Sequence, residues 1–364
     1  MDLDPYIAAL ACAFVVSLAL TAGIEWAAPR LPRSWPLGGL RGDGEKAPLG
    51  GIALFAAFAI APFLAVLLSD RADEYLTPKC TEFLGYLGAA GLVFLTGLMD
   101  DRHAMRPWQK IAGQLVAGTA VFAAGYRFEA VGLPWGVSFE LGVLALPVTL
   151  AWVVFFTNAL NLIDGIDGLA TGVGVFAAAS LAAVAANTEH TAVALLFVGL
   201  AGAGLGFLPF NLPKASLILG DSGALLFGFV LSTLSIRGAT GIENEVFVAV
   251  PLLAMGFPVL DTLLSAARRL LDRRHPFSRD HDHIHHRIEV LDLGPRVSLG
   301  VLYALSGAFA AAALLTHYVA SLVVEAAVLV GLIAVVATVL GRLGYLVSMW
   351  NSDRVVSLRR RLAR

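Results

Sequence analysis

The sequence predicts an all-α polytopic membrane protein of about eleven transmembrane helices, with its N-terminus outside and its C-terminus in the cytoplasm. Three observations predict it. Hydrophobic residues make up 58% of the 364 and charged residues 14%, against about 25% charged in an average soluble domain, and mean hydropathy is +0.79. The apolar residues gather in runs of roughly 17–25, the length that carries a helix across a hydrocarbon core of about 30 Å. Basic residues collect in alternate loops, the asymmetry that retained cytoplasmic loops show.

In chain order the expected spans are 7–28, 48–69, 83–99, 110–126, 141–160, 168–186, 190–210, 216–236, 245–267, 297–317 and 320–349. The first is not a cleaved signal peptide, because Asp2 and Asp4 stand where a basic segment is needed and the Arg30-Leu-Pro-Arg33 that follows offers no small-residue cleavage pattern. The first loop holds Arg30, Arg33, Arg41 and Lys46, the third Arg102 and Arg106 with Lys110 at its edge, the seventh Lys214. The ninth holds Arg268, Arg269, Arg273, Arg274, Arg279, Arg287 and Arg296, and the tail Arg354, Arg359, Arg360, Arg361 and Arg364. The intervening loops hold only Arg71, Lys79, Arg127 and Arg237, so the odd loops and the tail are cytoplasmic.

No long repeat, low-complexity tract or soluble insertion divides the chain, which reads as one integral-membrane domain over 1–364. A net charge of -2 and a pI near 6.4 give no reason to expect nucleic acid. Cys12 and Cys80 are too far apart in the layout to suggest a disulfide framework or a metal site. The basic tail serves either as a topology anchor or as a contact with anionic membrane lipids.

Between the fifth and sixth spans the chain reads Asn158-Ala-Leu-Asn161-Leu-Ile-Asp164-Gly-Ile-Asp167-Gly-Leu-Ala. Amides and carboxylates in such apolar company cost kilocalories each unless they line a cavity or bind something. Asp-Gly is also turn chemistry, yet a strict spacing of three drifts around an α-helix by about 60° per step, so these side chains would fan across a cleft at a helix break. Asp221, in Gly220-Asp-Ser-Gly223, lies between Leu217-Ile-Leu219 and Ala224-Leu-Leu-Phe-Gly-Phe229 and is equally hard to explain as surface. Asp100-Asp101 ends the third span and could be a solvated terminus or a functional pair. The cluster Asp280-His-Asp-His283-Ile-His285-His286-Arg287 admits a zinc reading, but the many arginines around it favour contact with phosphate.

All of these motifs fall on the basic side and can build one cytoplasmic-face site. Magnesium takes oxygen ligands and shares them with substrate phosphates, and Asp221 with a member of the Asn/Asp run offers such ligands. Gly165, Gly168, Gly220 and Gly223 permit close backbone approach to phosphate oxygens. Lys46, Lys110, Arg287 and the histidines supply positive charge. No Gly-x-Ser-x-Gly elbow accompanies the set, so a pyrophosphate site is the expectation rather than a hydrolytic one. A cation-coupled transporter would place its carboxylates near the midplane, commonly in matching halves, and a lipid-binding assembly protein would not need Asp221 with the Asn/Asp run.

Asp100-Asp101, Pro107-Trp-Gln-Lys110, Asn158-x-x-Asn161-x-x-Asp164-Gly-x-Asp167-Gly-Leu-Ala, Asn211-x-Pro213, Gly220-Asp-x-Gly223, Pro258-x-x-Asp261-Thr262 and His283-Ile-His285-His286-Arg287 together resemble the polyprenyl-phosphate N-acetylhexosamine-1-phosphate transferases. The resemblance runs from about Lys46 to Arg287 and is specific as a set. It implies a helical enzyme of the bacterial inner membrane that moves a sugar phosphate from a UDP-N-acetylhexosamine to undecaprenyl phosphate, releasing UMP and starting a cell-envelope polysaccharide. Within the family, His-x-His-His-Arg is similar to the N-acetylglucosamine-1-phosphate branch. The phospho-N-acetylmuramoyl-pentapeptide transferases of peptidoglycan synthesis, the alternative, carry three consecutive histidines where this chain has Ile284.

Two positions depart from the family pattern: Ile218 where an aromatic is common before Leu-Gly-Asp, and Ala224 where Ser is common. By resemblance Asn161 and Asp221 would hold magnesium, or manganese in its place, and Lys110 would clamp the pyrophosphate. Asp164 and Asp167 would complete the metal or uridine pocket. Lys46, Asn158, Asn211, His283, His285, His286 and Arg287 would bind substrate, and Asp100 or Asp101 would orient the acceptor or take its last proton. The resemblance is compatible with a monomer or a homodimer.

Overall fold

The computed structural model describes residues 4–30, 47–133, 137–188, 190–240, 245–271, 283–289, 293–319 and 321–342. The chain is mostly helical: α1 (Pro5–Ala27), α2 (Gly50–Leu68), α3 (Asp70–Leu76), α4 (Cys80–His103), α5 (Pro107–Ala123), α6 (Ala145–Leu162), α7 (Leu169–Asn187), α8 (Thr191–Asn211), α9 (Gly220–Gly238), α10 (Ala249–Ala254), α11 (Gly256–Leu271), α12 (Ile284–Glu289), α13 (Pro295–Tyr318) and α14 (Leu322–Arg342). Among the described residues 7 segments are long and apolar enough to cross a membrane: α1, α2, α4, the stretch Gly142–Leu162 that contains α6, α7, α8 and α13. This is a polytopic membrane protein.

The other expected spans take different forms, each for a local reason. α5 has 17 residues. α9 carries Asp221 and Arg237 near its ends and Ser222, Ser232, Thr233 and Ser235 buried along it. It can afford them because it is enclosed by α2, α4, α6, α7 and α8 rather than by lipid. Three of these hydroxyls are satisfied within the helix, Ser232 and Thr233 donating to the Phe229 carbonyl and Ser235 to that of Ser232.

The expected span 245–267 is not one helix: it is a short strand, α10, and then α11 after an interruption at Met255. Pro258 explains the interruption, since a proline ring collides with the carbonyl four residues back but is tolerated in a first turn. The last expected span, 320–349, is helical as α14 to Arg342, with 326–341 as its apolar stretch, and its remainder lies outside the described residues.

A small sheet corrects the all-α expectation. β1 (Ala130–Leu133) pairs antiparallel with β2 (Val137–Glu140) and parallel with β3 (Glu245–Phe247), in the order β2-β1-β3. The chain leaving α5 and the chain leaving α9 emerge at the same end of the bundle, and their backbone groups pair with one another once outside helix. Phe128 and Val246 seal the sheet against Ile236 and Ala239 at the end of α9.

Candidate active site

The opposite end of the bundle is where the polar motifs meet. α4 and α9 approach so closely there that a Cβ on Gly97 would lie 2.5 Å from Ser222 Cα and 2.6 Å from the Asp221 carbonyl oxygen. Residues 47–51 run beside the strand-like stretch that leads into α9: Gly50 and Gly51 donate to the carbonyls of Ile218 and Leu219, both at 3.0 Å, and Ile218 donates to Ala47 at 3.3 Å. Gly220 then turns the chain with φ of +74°, a conformation that costs glycine nothing.

Asp101 spans the gap between the two helices. It lies in the last turn of α4, where a carboxylate opposes the helix dipole, but it faces the first turn of α9, where a carboxylate is welcome. Its Oδ1 accepts from the Asp221 N–H at 2.7 Å and its Oδ2 from the Ser222 N–H at 3.1 Å. An aspartate at the end of one helix thus caps the start of another.

Asp100, one residue earlier, is tied to α5. The chain reverses through 104–106, where the Met105 N–H reaches Asp100 Oδ1 at 2.5 Å, and α5 then opens with Pro107 and the Gln109 side chain accepting from the Arg106 N–H at 2.8 Å. That start brings Lys110 inward. Its ammonium donates to Asp100 Oδ2 at 2.5 Å and to Asp221 Oδ1 at 3.0 Å. Asn161, in the last turn of α6, donates to the same Asp221 oxygen at 2.5 Å.

The expected helix break is present: α6 ends at Leu162 and α7 begins at Leu169, with Gly168 at φ of +84°. Asp164 and Asp167 lie within it. Asp167 Oδ2 accepts from the Ala215 N–H at 3.0 Å, and Tyr303 of α13 donates to the Gly168 carbonyl at 2.6 Å, so both flanks of the loop are held. Burial, reinforced by the charges of Asp221, Asp101 and Asp167, pushes the Asp164 carboxyl up to about 8.

Asn158 stands one turn back on α6 and pairs with Gln114 of α5, its Nδ2 donating to Gln114 Oε1 at 2.7 Å. Asn211 is buried and engaged at both ends of its amide, accepting from Thr171 at 2.7 Å and donating to the Leu217 carbonyl at 3.1 Å. It braces α7, α8 and the approach to α9. His283 is buried against Asp261 of α11, with Nδ1 to Oδ2 at 2.7 Å. Arg287 is half-buried on α12, His285 and His286 are on the same helix with side chains outside the described residues, and Lys46, Asp280 and Asp282 lie outside them too.

Gln114, Tyr303 and the Asp261–Ser265 pair are members of this framework that sequence reasoning did not assign. A glutamine in an apolar helix was the signal for Gln114. For Asp261 and Ser265 it was their spacing of four. Nothing local marks Tyr303.

The chemistry of this set suits a hard cation and phosphate. Asp221, Asn161 and Asp164 offer oxygen atoms, and the carboxylates of Asp100, Asp101 and Asp167 surround them. Among the described residues no three His, Cys, Asp or Glu side chains converge as a metal cage. Magnesium accepts one or two protein oxygens with the rest left to phosphate and water. The residues present fit the ion, and Asp221 and Asn161 would hold it.

The model of glycosyl transferase family 4 matches residues 83–239, which include every aspartate discussed above from Asp100 to Asp221. The chain is 30% identical over 267 residues to a probable undecaprenyl-phosphate N-acetylglucosaminyl 1-phosphate transferase of Bacillus subtilis, covering 73% of this chain and 72% of that one. It is 32% identical over 287 residues to a decaprenyl-phosphate N-acetylglucosaminephosphotransferase of Mycolicibacterium smegmatis, covering 72% and 70%. A phospho-N-acetylmuramoyl-pentapeptide-transferase of Streptococcus suis is 33% identical over 189 residues, covering 49% and 56%. With two such relatives matched over more than two thirds of their length, the chain belongs to glycosyl transferase family 4.

Proposed function

We propose that the protein transfers N-acetylglucosamine 1-phosphate, or a related N-acetylhexosamine phosphate, from its UDP derivative to undecaprenyl phosphate. An oxygen of the lipid phosphate attacks the β-phosphorus of the UDP-sugar, the bridging bond to the α-phosphate breaks, and UMP leaves with that electron pair. The products are UMP and the lipid-linked sugar pyrophosphate that begins a cell-envelope polysaccharide. A phosphate monoester has its second pKa near 6, so the acceptor arrives ionised and needs positioning and charge neutralisation more than a base.

The observation that carries this reading is the bridge of Lys110 between Asp100 and Asp221, with Asn161 on the same Asp221 oxygen. It joins a cation suited to phosphate to an oxygen donor set suited to magnesium, at the junction of four helix ends. The two longer matches, named for a polyprenyl phosphate and for N-acetylglucosamine phosphate transfer, support the same chemistry. The pentapeptide transferases match over about half the chain, and Ile284 interrupts the histidines here. Magnesium, or manganese in its place, would neutralise charge on the transferred phosphoryl group and the departing UMP.

In this reading the chain crosses the bacterial inner membrane about eleven times, with α5, α9, α11 and α14 added to the apolar segments. The carboxylate end of the bundle faces the cytoplasm, where the basic loops lie. A homodimer is compatible with it. Incubating the purified protein with UDP-N-acetylglucosamine, undecaprenyl phosphate and magnesium tests the proposal. UMP release that requires both lipid and metal is the expected result, and no UMP from any UDP-N-acetylhexosamine would overturn it.

A further inference from the structure

α11 turns its polar residues inward. Asp261, Ser265 and Arg268 recur at helical spacing on one face and are 0%, 1% and 5% exposed, whereas Leu263 and Leu270 face outward. What that stripe holds is the segment 283–289. Asp261 Oδ1 accepts the Ile284 N–H at 2.7 Å, and Asp261 Oδ2 meets His283 Nδ1 at 2.7 Å, with Ser265 Oγ 3.1 Å from the same nitrogen. The Ile284 N–H is one of the donors that the start of α12 leaves unsatisfied, and Asp261 satisfies it from another helix. Ile284 and Ile288 are buried beneath the turn, and the Arg287 N–H closes it on the His283 carbonyl at 3.1 Å.

A carboxylate with no exposure is strongly destabilising unless every lone pair in use has its donor. Here both oxygens are spent on fixing where α12 begins. We infer that Asp261 is a positioning residue for the transfer reaction, locking the segment from His283 to Arg287 in place, and that His283 is its fastener rather than a ligand of phosphate. This revises the substrate-binding role that the sequence resemblance implied for His283. What the segment is positioned toward rests on the proposed function, while its anchoring by Asp261 does not.

The experiment compares the full-length purified protein with Asp261→Ala, His283→Ala, the double variant, His283→Asn and Ser265→Ala. Catalytic efficiency with UDP-N-acetylglucosamine, undecaprenyl phosphate and magnesium should fall on the order of 100-fold in each Ala variant at Asp261 or His283, as a displacement of about 1 Å at a reacting centre costs. The double variant should be no worse than either, since the two side chains act as one contact. His283→Asn should stay within about 5-fold of wild type, because its amide can donate where Nδ1 did. Trypsin cleavage after Arg287 should accelerate in both Ala variants and not in His283→Asn.

Wild-type efficiency in Asp261→Ala would overturn the inference, as would a His283→Asn protein as inactive as His283→Ala with its cleavage still slow, since that pattern marks direct substrate contact. If the wild type itself releases no UMP, the functional reading fails separately, and the cleavage rates alone decide the anchoring: equal rates in wild type and Asp261→Ala overturn it. Should Asp261→Ala fail to fold, Ser265→Ala and His283→Asn carry the same comparison, with faster cleavage expected in the first only.

Discussion

Asp101 and Asp221 are joined through the backbone: the carboxylate that ends α4 accepts the N–H that begins the first turn of α9, at 2.7 Å. The two aspartates therefore do different work. Asp221 presents its side chain to Lys110 and Asn161, and Asp101 uses its own to hold the helix that carries Asp221. Replacing Asp101 with Ala should cost stability by about 1–2 kcal/mol, the range for a lost helix cap, and cut turnover by orders of magnitude because α9 shifts. Thermal unfolding in detergent and UMP release measure the two effects, and a variant that loses activity with unchanged stability would show that Asp101 acts on substrate instead.

The close approach of α4 to α9 makes Gly97 a sensitive small residue of the site. Gly97→Ala would drive a methyl into Ser222 Cα and the Asp221 carbonyl, neither of which can yield without moving α9. Activity should fall by roughly 100-fold, the effect of a displacement near 1 Å. Gly88→Ala on the same helix meets nothing within 4 Å and should be neutral or stabilising by up to about 1 kcal/mol. Equal behaviour of the two variants would mean that the helix contact is not needed for turnover.

Lys110 neutralises two carboxylates at once. Lys110→Met should leave Asp100 and Asp221 facing one another without a cation, lowering activity by orders of magnitude because the phosphate clamp is lost, and lowering the magnesium concentration needed for half-maximal rate because the unneutralised carboxylates attract the ion more strongly. Lys110→Arg should rescue poorly, since a planar fork cannot replace a point charge between two oxygens. A magnesium dependence identical to wild type in Lys110→Met would separate the lysine from the metal.

Asp164 is where stability and function should oppose each other. Its carboxyl is pushed up to about 8 by burial and by Asp221, Asp101 and Asp167. In the unfolded chain it titrates near 3.9. The folded state therefore binds the proton more tightly, and its stability falls as pH rises from about 4 through 8. Asp164→Asn removes that loss, so without divalent ions it should unfold at a higher temperature than wild type, by a larger margin at pH 8.5 than at pH 5. The same variant should be nearly inactive with magnesium present. Destabilisation at pH 8.5 would show that the crowding of charges at Asp164 is relieved within the protein itself.

Much of this was legible in the sequence because the bilayer enforces simple rules. Apolar runs had to be helices, and Asn158, Asn161, Asp164 and Asp167 could not be accounted for as lipid-facing residues, so a helix break with a polar purpose followed. Asp221 was conspicuous for the same reason. The sheet was not legible, since β1 and β3 are separated by more than a hundred residues and pair only because two helices end side by side. The interruption at Met255 had a local sign in Pro258, which the apolar run concealed. The anchoring of His283 was hidden because the sequence shows that a histidine and an aspartate are present but not that one is buried on the other. Asn211 belongs to the same class: its motif marks the residue, and only packing shows that both ends of its amide are engaged.

The proposed transfer breaks one pyrophosphate bond and forms another, so its driving force should be small, unlike a hydrolysis in which water carries the product away. Forward and reverse reactions share one transition state, and the reverse reaction therefore needs the same groups. Radiolabelled UMP incubated with the protein, the lipid-linked sugar pyrophosphate and magnesium should enter UDP-sugar at a rate commensurate with forward turnover. Chelation of the metal should abolish that exchange, and so should Asp221→Asn, which keeps the acceptor for Lys110 but removes the charge a cation requires. Labelled UMP that stays unexchanged while the forward reaction runs fast would be incompatible with direct phosphosugar transfer and would point to a hydrolytic step.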